Sequence, residues 1–182
     1  MTQVLVPLAE GFEELEAVTI IDLLRRASIH VTVAGLNAGP ITASRKTVLV
    51  PDCTLDEALK YTYEMVVLPG GQPGATNLEK DPRIANLLND MAGKHAYIAA
   101  ICAAPKVLAV AGLLKGKNVT CYPGTLNTKQ FPDINLKNYS VVVDNKIVTS
   151  RGPGTAMDFA LQLIELLSGK EKRQQVESGL AR

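Results

Sequence analysis

Two residue types that carry much of enzyme chemistry are scarce in this chain. It has only two histidines, His30 and His95, and three cysteines, Cys53, Cys102 and Cys121. An odd number of cysteines at wide, unpatterned intervals argues against a disulfide framework and against a zinc site. That usage points to a reducing cytoplasm. A cysteine protease or amidotransferase would need an imidazole within hydrogen-bond reach of the sulfur. Both histidines stand where strands are expected to begin. His95 is seven residues before Cys102, roughly 23 Å at the rise of an extended strand. A cysteine–histidine dyad within one chain is therefore disfavoured.

Other absences narrow the field further. Nineteen basic and eighteen acidic residues leave a net charge of +1 without strong segregation, so nothing calls for nucleic acid or an acidic membrane surface. No apolar run approaches the roughly 20 residues that span a bilayer. The first ten residues lack a basic segment, and Pro7 and Glu10 interrupt their apolar run, so no signal peptide is expected. There is no Gly-x-x-x-x-Gly-Lys phosphate loop, no repeat and no linker. Residues 1–182 read as one domain, with a length sufficient for a real core.

Strands and helices alternate along the chain. Val4–Leu8, His30–Leu36 and Tyr63–Leu68 read as strands. Helices are expected over about Glu13–Ala27 and Asp81–Met91, over Thr155–Leu167 with a Thr155/Asp158 capping box, and over Lys170–Leu180. Ser44-Arg45-Lys46 and Asp144-Asn145 read as the turns of two hairpins. Asn118–Tyr122 reads as another strand, followed by an irregular stretch over Pro123–Asn138. This order predicts an α/β fold: a doubly wound, flavodoxin-like, mostly parallel sheet with helices on both faces.

The focus is Tyr97-Ile-Ala-Ala-Ile-Cys102-Ala-Ala-Pro105. A small, branched apolar strand runs into a helix whose first turn holds Pro105. Cys102 falls on the corner, where a helix N-terminus favours thiolate. A buried structural cysteine is the other reading of this stretch. Ligand sites in such sheets form at the carboxyl ends of the strands. That edge also receives Gly11–Glu16, Gly70-Gly71 and Arg151-Gly-Pro153-Gly154. Glu16 is in line with Ile20, Leu23 and Ala27 on a mostly apolar stripe, which raises a carboxyl's pKa. Protonated, it could donate to a Cys102 thiolate; otherwise it merely complements the helix dipole. Cys53 reads as a surface residue, and Cys121, beside Tyr122, as a strand residue close to the pocket.

Four blocks, Ala9-Glu-Gly-Phe-Glu-Glu-Leu-Glu16-Ala-Val, Val66-Val-Leu-Pro-Gly-Gly71, Ala99-Ala-Ile-Cys102-Ala-Ala-Pro105 and Thr149-Ser-Arg-Gly-Pro-Gly-Thr155, appear in the order found in the ThiJ/PfpI superfamily. The chain resembles that superfamily, and within it the branch of the parkinsonism-associated deglycase and its bacterial YajL-like relatives. The resemblance implies that Cys102 is a readily oxidised nucleophile with Glu16 as its protonated partner. It implies an oxyanion hole from the N–H groups of Gly71 and Ala103 beside Gly70, with Glu13 organising the pocket. Arg45 resembles the residue that approaches the partner subunit in a homodimer. The protease branch carries a histidine after its cysteine, a position held here by Ala103. The disease-associated relative has a histidine where this chain has Tyr122. Three functions are implied: a cofactor-free, metal-free glyoxalase or deglycase acting on reactive carbonyls or glycated thiols and amines; an oxidative-stress sensor or redox-regulated chaperone; and, more remotely, thiamine-precursor chemistry.

Overall fold

The computed structural model describes residues 2–181. The strands are β1 (Gln3–Leu8), β2 (His30–Gly35), β3 (Ile41–Thr42), β4 (Val48–Leu49), β5 (Cys53–Thr54), β6 (Met65–Leu68), β7 (Tyr97–Ile101), β8 (Asn118–Val119), β9 (Asn135–Leu136), β10 (Val141–Asp144) and β11 (Ile147–Ser150). The helices are α1 (Glu14–Arg26), α2 (Leu55–Ala58), α3 (Gly74–Lys80), α4 (Pro82–Gly93), α5 (Pro105–Val110), α6 (Ala156–Ser168) and α7 (Lys170–Ser178).

Seven strands form the main sheet in the order β10-β11-β7-β6-β1-β2-β5, and every pair is parallel except β10 with β11. The inner strands are almost wholly apolar because both faces are covered. Val4, Val6, Val67, Ala99 and Ile101 point to the face covered by α1 and α6. Leu5, Val66, Leu68, Ile98 and Ala100 point to the face covered by α2, α4 and α5. Alternate residues thus serve opposite cores, as the two-residue period of a strand requires. The inner order β2-β1-β6-β7-β11 is the flavodoxin-like doubly wound arrangement, and its switch point lies between β1 and β6.

Helix α1 brings the site together. Glu13 caps it, its Oε2 accepting the Glu16 N–H at 2.8 Å. Glu14 and Glu16 stand in the first turn and Arg25 and Arg26 in the last, matching the helix dipole. Ser28, in the left-handed region at φ 61°, ends the turn and starts the return to β2.

Several expectations are revised. The segment Asn118–Tyr122 pairs only over Asn118–Val119, with Asn135–Leu136 from the stretch read as irregular. The Thr155/Asp158 capping box does not form. The Thr155 hydroxyl turns back to Gly152 O at 2.9 Å and to Ser150 Oγ at 2.7 Å, and a 3₁₀ turn over Pro153–Thr155 precedes α6. Cys53 lies half-buried on edge strand β5, opposite Ala34, and not on the open surface. Short helix α3 emerges where no helical period was evident. No helix among the described residues is long and apolar enough to cross a membrane.

Candidate active site

At the carboxyl edge of the sheet, β7 ends at Ile101 and α5 begins at Pro105. Cys102 takes up the reversal at φ 63°, a left-handed conformation that a non-glycine residue adopts at a cost of roughly 1–2 kcal/mol. Its N–H donates to Ser150 O at 3.0 Å and its carbonyl accepts the Tyr122 N–H at 2.9 Å. The corner is therefore held from two sides.

The two loops facing it approach so closely because they lack side chains. A Cβ on Gly70 would stand 2.6 Å from Cys102 Cβ and 2.8 Å from Glu16 Oε2. At Gly71, φ 90°, a Cβ would stand 2.4 Å from Glu13 N. Glycine is required at both. The same closeness lets Gly70 donate its N–H to Glu16 Oε2 at 2.8 Å while Gly70 O accepts the Glu13 N–H at 2.9 Å.

Glu16 is fully buried. Among the described residues, its Oε1 has no hydrogen-bond partner. Burial pushes its pKa up to about 7, with Glu13 adding to the rise; hydrogen bonds to Cys102 and to the Gly70 N–H oppose it. Burial, then the neighbouring Glu16 charge, pushes the Cys102 thiol up to about 12, while the N–H groups of Gly71 and Ala103 pull it down. This reverses the direction expected from the helix start. Helix α5 has six residues and begins three residues past the sulfur, so its dipole loses to burial. Two acids in contact titrate as a unit: the pair gives up its first proton near neutrality and resists losing the second.

Those values carry a stability consequence. Glu16 holds its proton to about pH 7 in the fold, against 4.5 ordinarily. The folded state therefore binds more protons between those values, and stability falls as pH rises through that window. The gain fully present below pH 4.5 is worth at most about 3 kcal/mol. Wild type should become more stable relative to Glu16→Gln on going from pH 8 to pH 5, as read from urea midpoints. A difference that stays flat would mean Glu16 is ionised throughout.

The remaining candidates take different positions. Glu13 stands at the α1 N-cap, touching Glu16 through its backbone N–H. Arg45 is exposed on the β3–β4 turn, where its N–H is held by Glu14 Oε1 at 2.9 Å. Glu14, which the sequence did not single out, also accepts from Ser44 Oγ and Thr47 N. Tyr122 is about half-exposed, its ring 3.2 Å from where a Cβ on Gly152 would be. Arg151, next along the chain from Ser150, donates its N–H to Ser140 O, and Pro153 opens the 3₁₀ turn. His30 and His95 lie at the opposite edge, at the starts of β2 and β7. Cavities of about 390 and 640 Å³ contain no member of the Cys102 cluster.

The arrangement is a thiol on a sharp corner with a buried carboxyl against it and two backbone N–H groups turned to the sulfur. The same arrangement has relatives. Residues 2–166 match the model of the DJ-1/PfpI family. Protein dj-1beta of Drosophila melanogaster is 44% identical over 181 residues, covering 97% of this chain and 95% of that one. Protein DJ-1 homolog B of Arabidopsis thaliana is 44% identical over 96% of this chain, which spans only 40% of the plant protein's length. A protein of Caenorhabditis elegans named glutathione-independent glyoxalase DJR-1.2 is 34% identical, over 90% of this chain and 87% of its own. The crystal structure of Drosophila DJ-1beta superposes with a TM-score of 0.93 at 42% identity, covering 99% of this chain and 97% of that one. With the elbow, the glycine loops and the full-length likeness in agreement, the chain belongs to the DJ-1/PfpI family.

Proposed function

We propose that the protein is a cofactor-free enzyme of reactive carbonyls, a glyoxalase or deglycase that converts methylglyoxal, or its early adducts on thiols and amines, to lactate. The observation that carries this reading is the contact between Cys102 and a fully buried Glu16 that titrates near neutrality. A nucleophile and a proton carrier matched to the working pH are thereby placed side by side. The name of the nematode relative supports the same substrate class.

The chemistry balances without an outside reductant. With the pair's remaining proton on Glu16, the Cys102 thiolate adds to the aldehyde carbon of methylglyoxal. The carbonyl π pair moves to oxygen, where the N–H groups of Gly71 and Ala103 face the developing charge and Glu16 supplies a proton. Glu16, now a carboxylate, removes the hydrogen from that carbon and returns a proton to the neighbouring one. A second proton passes between the two oxygens. The product is a lactoyl thioester, an isomer of the hemithioacetal: one carbon is oxidised and its neighbour reduced. Water cleaves the thioester, releasing lactate and restoring the thiol and carboxyl. The direct test is lactate formation from methylglyoxal by purified protein with no glutathione or metal added; no lactate above the buffer rate would overturn the reading.

A second reading, a cysteine that senses peroxide, is favoured by the same N–H pair, which suits a sulfinate as well as an alkoxide. Limiting peroxide at neutral pH should add two oxygens to Cys102 before Cys53 or Cys121: burial raises all three thiols, but only at Cys102 do the N–H groups of Gly71 and Ala103 face the sulfur and favour its charged, oxidised forms. Peptide mass mapping checks it. Equal modification of all three would remove the case for a tuned thiol.

A homodimer in the cytoplasm completes the proposal. Leu15 and Val18 are exposed one turn apart on α1, and Val48 and Val50 are exposed just after the Arg45 turn, which Glu14 ties to the start of α1. A patch of this kind suits a self-complementary contact. Light scattering at micromolar concentration should give twice the 19.5 kDa chain mass, and Leu15→Glu with Val18→Glu should return it to the single mass.

A further inference from the structure

We infer that Thr149 is a positioning residue for Cys102: its hydroxyl holds segment 120–122, and the backbone of that segment holds the corner on which the sulfur stands. Cys102 keeps a left-handed backbone at φ 63°, and such a conformation persists only where the surroundings over-determine it. Two hydrogen bonds do so. The Cys102 N–H donates to Ser150 O at 3.0 Å, and Ser150 is fixed in turn by the pairing of β11 with β7. The Cys102 carbonyl accepts the Tyr122 N–H at 2.9 Å. Tyr122 has no such ladder behind it: β8 ends at Val119, and residues 120–122 belong to no strand.

A side chain takes the place of the missing ladder. Thr149 Oγ1, on β11, accepts the Thr120 N–H at 2.9 Å. Thr149 is paired on both sides, with Ala100 of β7 and Val142 of β10, and is fully buried. A β-branched side chain there has little freedom at χ1, so its oxygen is a fixed acceptor. The Thr120 hydroxyl gives no help. It is buried and has no hydrogen-bond partner among the described residues. The circuit is closed: it leaves β11 through the Thr149 hydroxyl, runs along Thr120–Tyr122 to Cys102, and returns to β11 at Ser150.

Thr149→Val keeps the shape but leaves the Thr120 N–H buried without an acceptor, which disfavours the present position of the segment. With the Tyr122 N–H withdrawn, Cys102 can relax and its sulfur leaves the surroundings that push it up to about 12. It should then titrate nearer the ordinary 9.0, so alkylation of Cys102, read by peptide mass, should begin at lower pH. Lactate turnover should fall about ten- to a hundredfold with KM little changed. Global unfolding would give the same two signs, so hydrogen exchange on the full chain decides. The Tyr122 amide should exchange about tenfold faster, while Val4–Val6 in the core of β1 keep their wild-type rates. Thr149→Ala, which places no methyl against the N–H, should show the same changes. Thr149→Ser restores the acceptor and should rescue all of them. Thr120→Val, the same chemical change at the hydroxyl that bonds nothing, should leave Tyr122 exchange as in wild type. Unchanged exchange at Tyr122 in Thr149→Val, equal damage in Thr149→Ser, or acceleration as large at Val4–Val6 would each overturn the assignment. Only the turnover arm rests on the carbonyl reading: wild type without lactate formation would count against that reading, and exchange and alkylation would still decide the role of Thr149.

Discussion

Cys102→Ala should abolish lactate formation from methylglyoxal, a loss of about four orders of magnitude or more, as befits removal of a nucleophile. The fold should survive. The side chain is small, alanine fills most of its space, and the left-handed backbone at φ 63° strains either residue alike. Melting within a few degrees of wild type, with substrate still able to bind, would assign the loss to chemistry. Cys102→Ser is the stricter variant, because it keeps a nucleophilic atom on the same corner. A serine hydroxyl in this buried setting stays protonated, so it too should be inactive. Residual turnover above about one per cent in either variant would mean that the sulfur is not the attacking atom.

Glu16 should give the second largest effect. Glu16→Gln keeps a group able to donate toward the sulfur but removes the transferable proton. Turnover should fall by about 10²–10⁴ while peroxide still reaches the thiol. With the carboxylate charge gone, the largest neighbouring cause that raises the thiol disappears, so alkylation of Cys102 should begin at lower pH than in wild type. Glu16→Leu also removes the donor, and its thiol should titrate above that of Glu16→Gln. Tyr122→Phe is the control. It deletes one hydroxyl from a half-exposed ring and should cost turnover far less than either change. A Tyr122→Phe variant as damaged as Glu16→Gln would move the proton carrier to Tyr122. Wild-type protein without turnover, in which the Glu16 variants alter oxidation only, would leave the peroxide-sensing role.

The fold was legible because apolar runs such as Met65–Leu68 and Tyr97–Ile101 have no other stable use than strands buried on both faces. The corner at Cys102 was legible too, since an apolar strand, a small tripeptide and a proline leave little choice of backbone. Glu16 gave itself away as a charge on an apolar stripe. The thiol's direction was not legible, because it depends on three-dimensional burial and on a helix that begins at Pro105, three residues past the sulfur. The hold of Glu14 on the hairpin was not legible for a related reason: its partners, Ser44, Arg45 and Thr47, are some thirty residues distant in sequence. Helix α3 was hidden by Gly74, Thr76 and Asn77, residues of low helical preference that tertiary packing overrides. The short pairing of β8 with β9 joins segments sixteen residues apart with no alternation in either.

Gly70 and Gly71 bear on any attempt to graft this centre onto another scaffold. Moving the cysteine and the glutamate to the matching corner of a different α/β protein would carry the thiol and the carboxyl but not their distance from each other. A single methyl group on the facing loop would stand 2.6 Å from the cysteine's Cβ and wedge the partners apart. The smallest portable unit is therefore three segments, with two of its essential positions contributing no side chain. A designer who copied only the cysteine and the glutamate would leave behind the glycine loop that lets them meet.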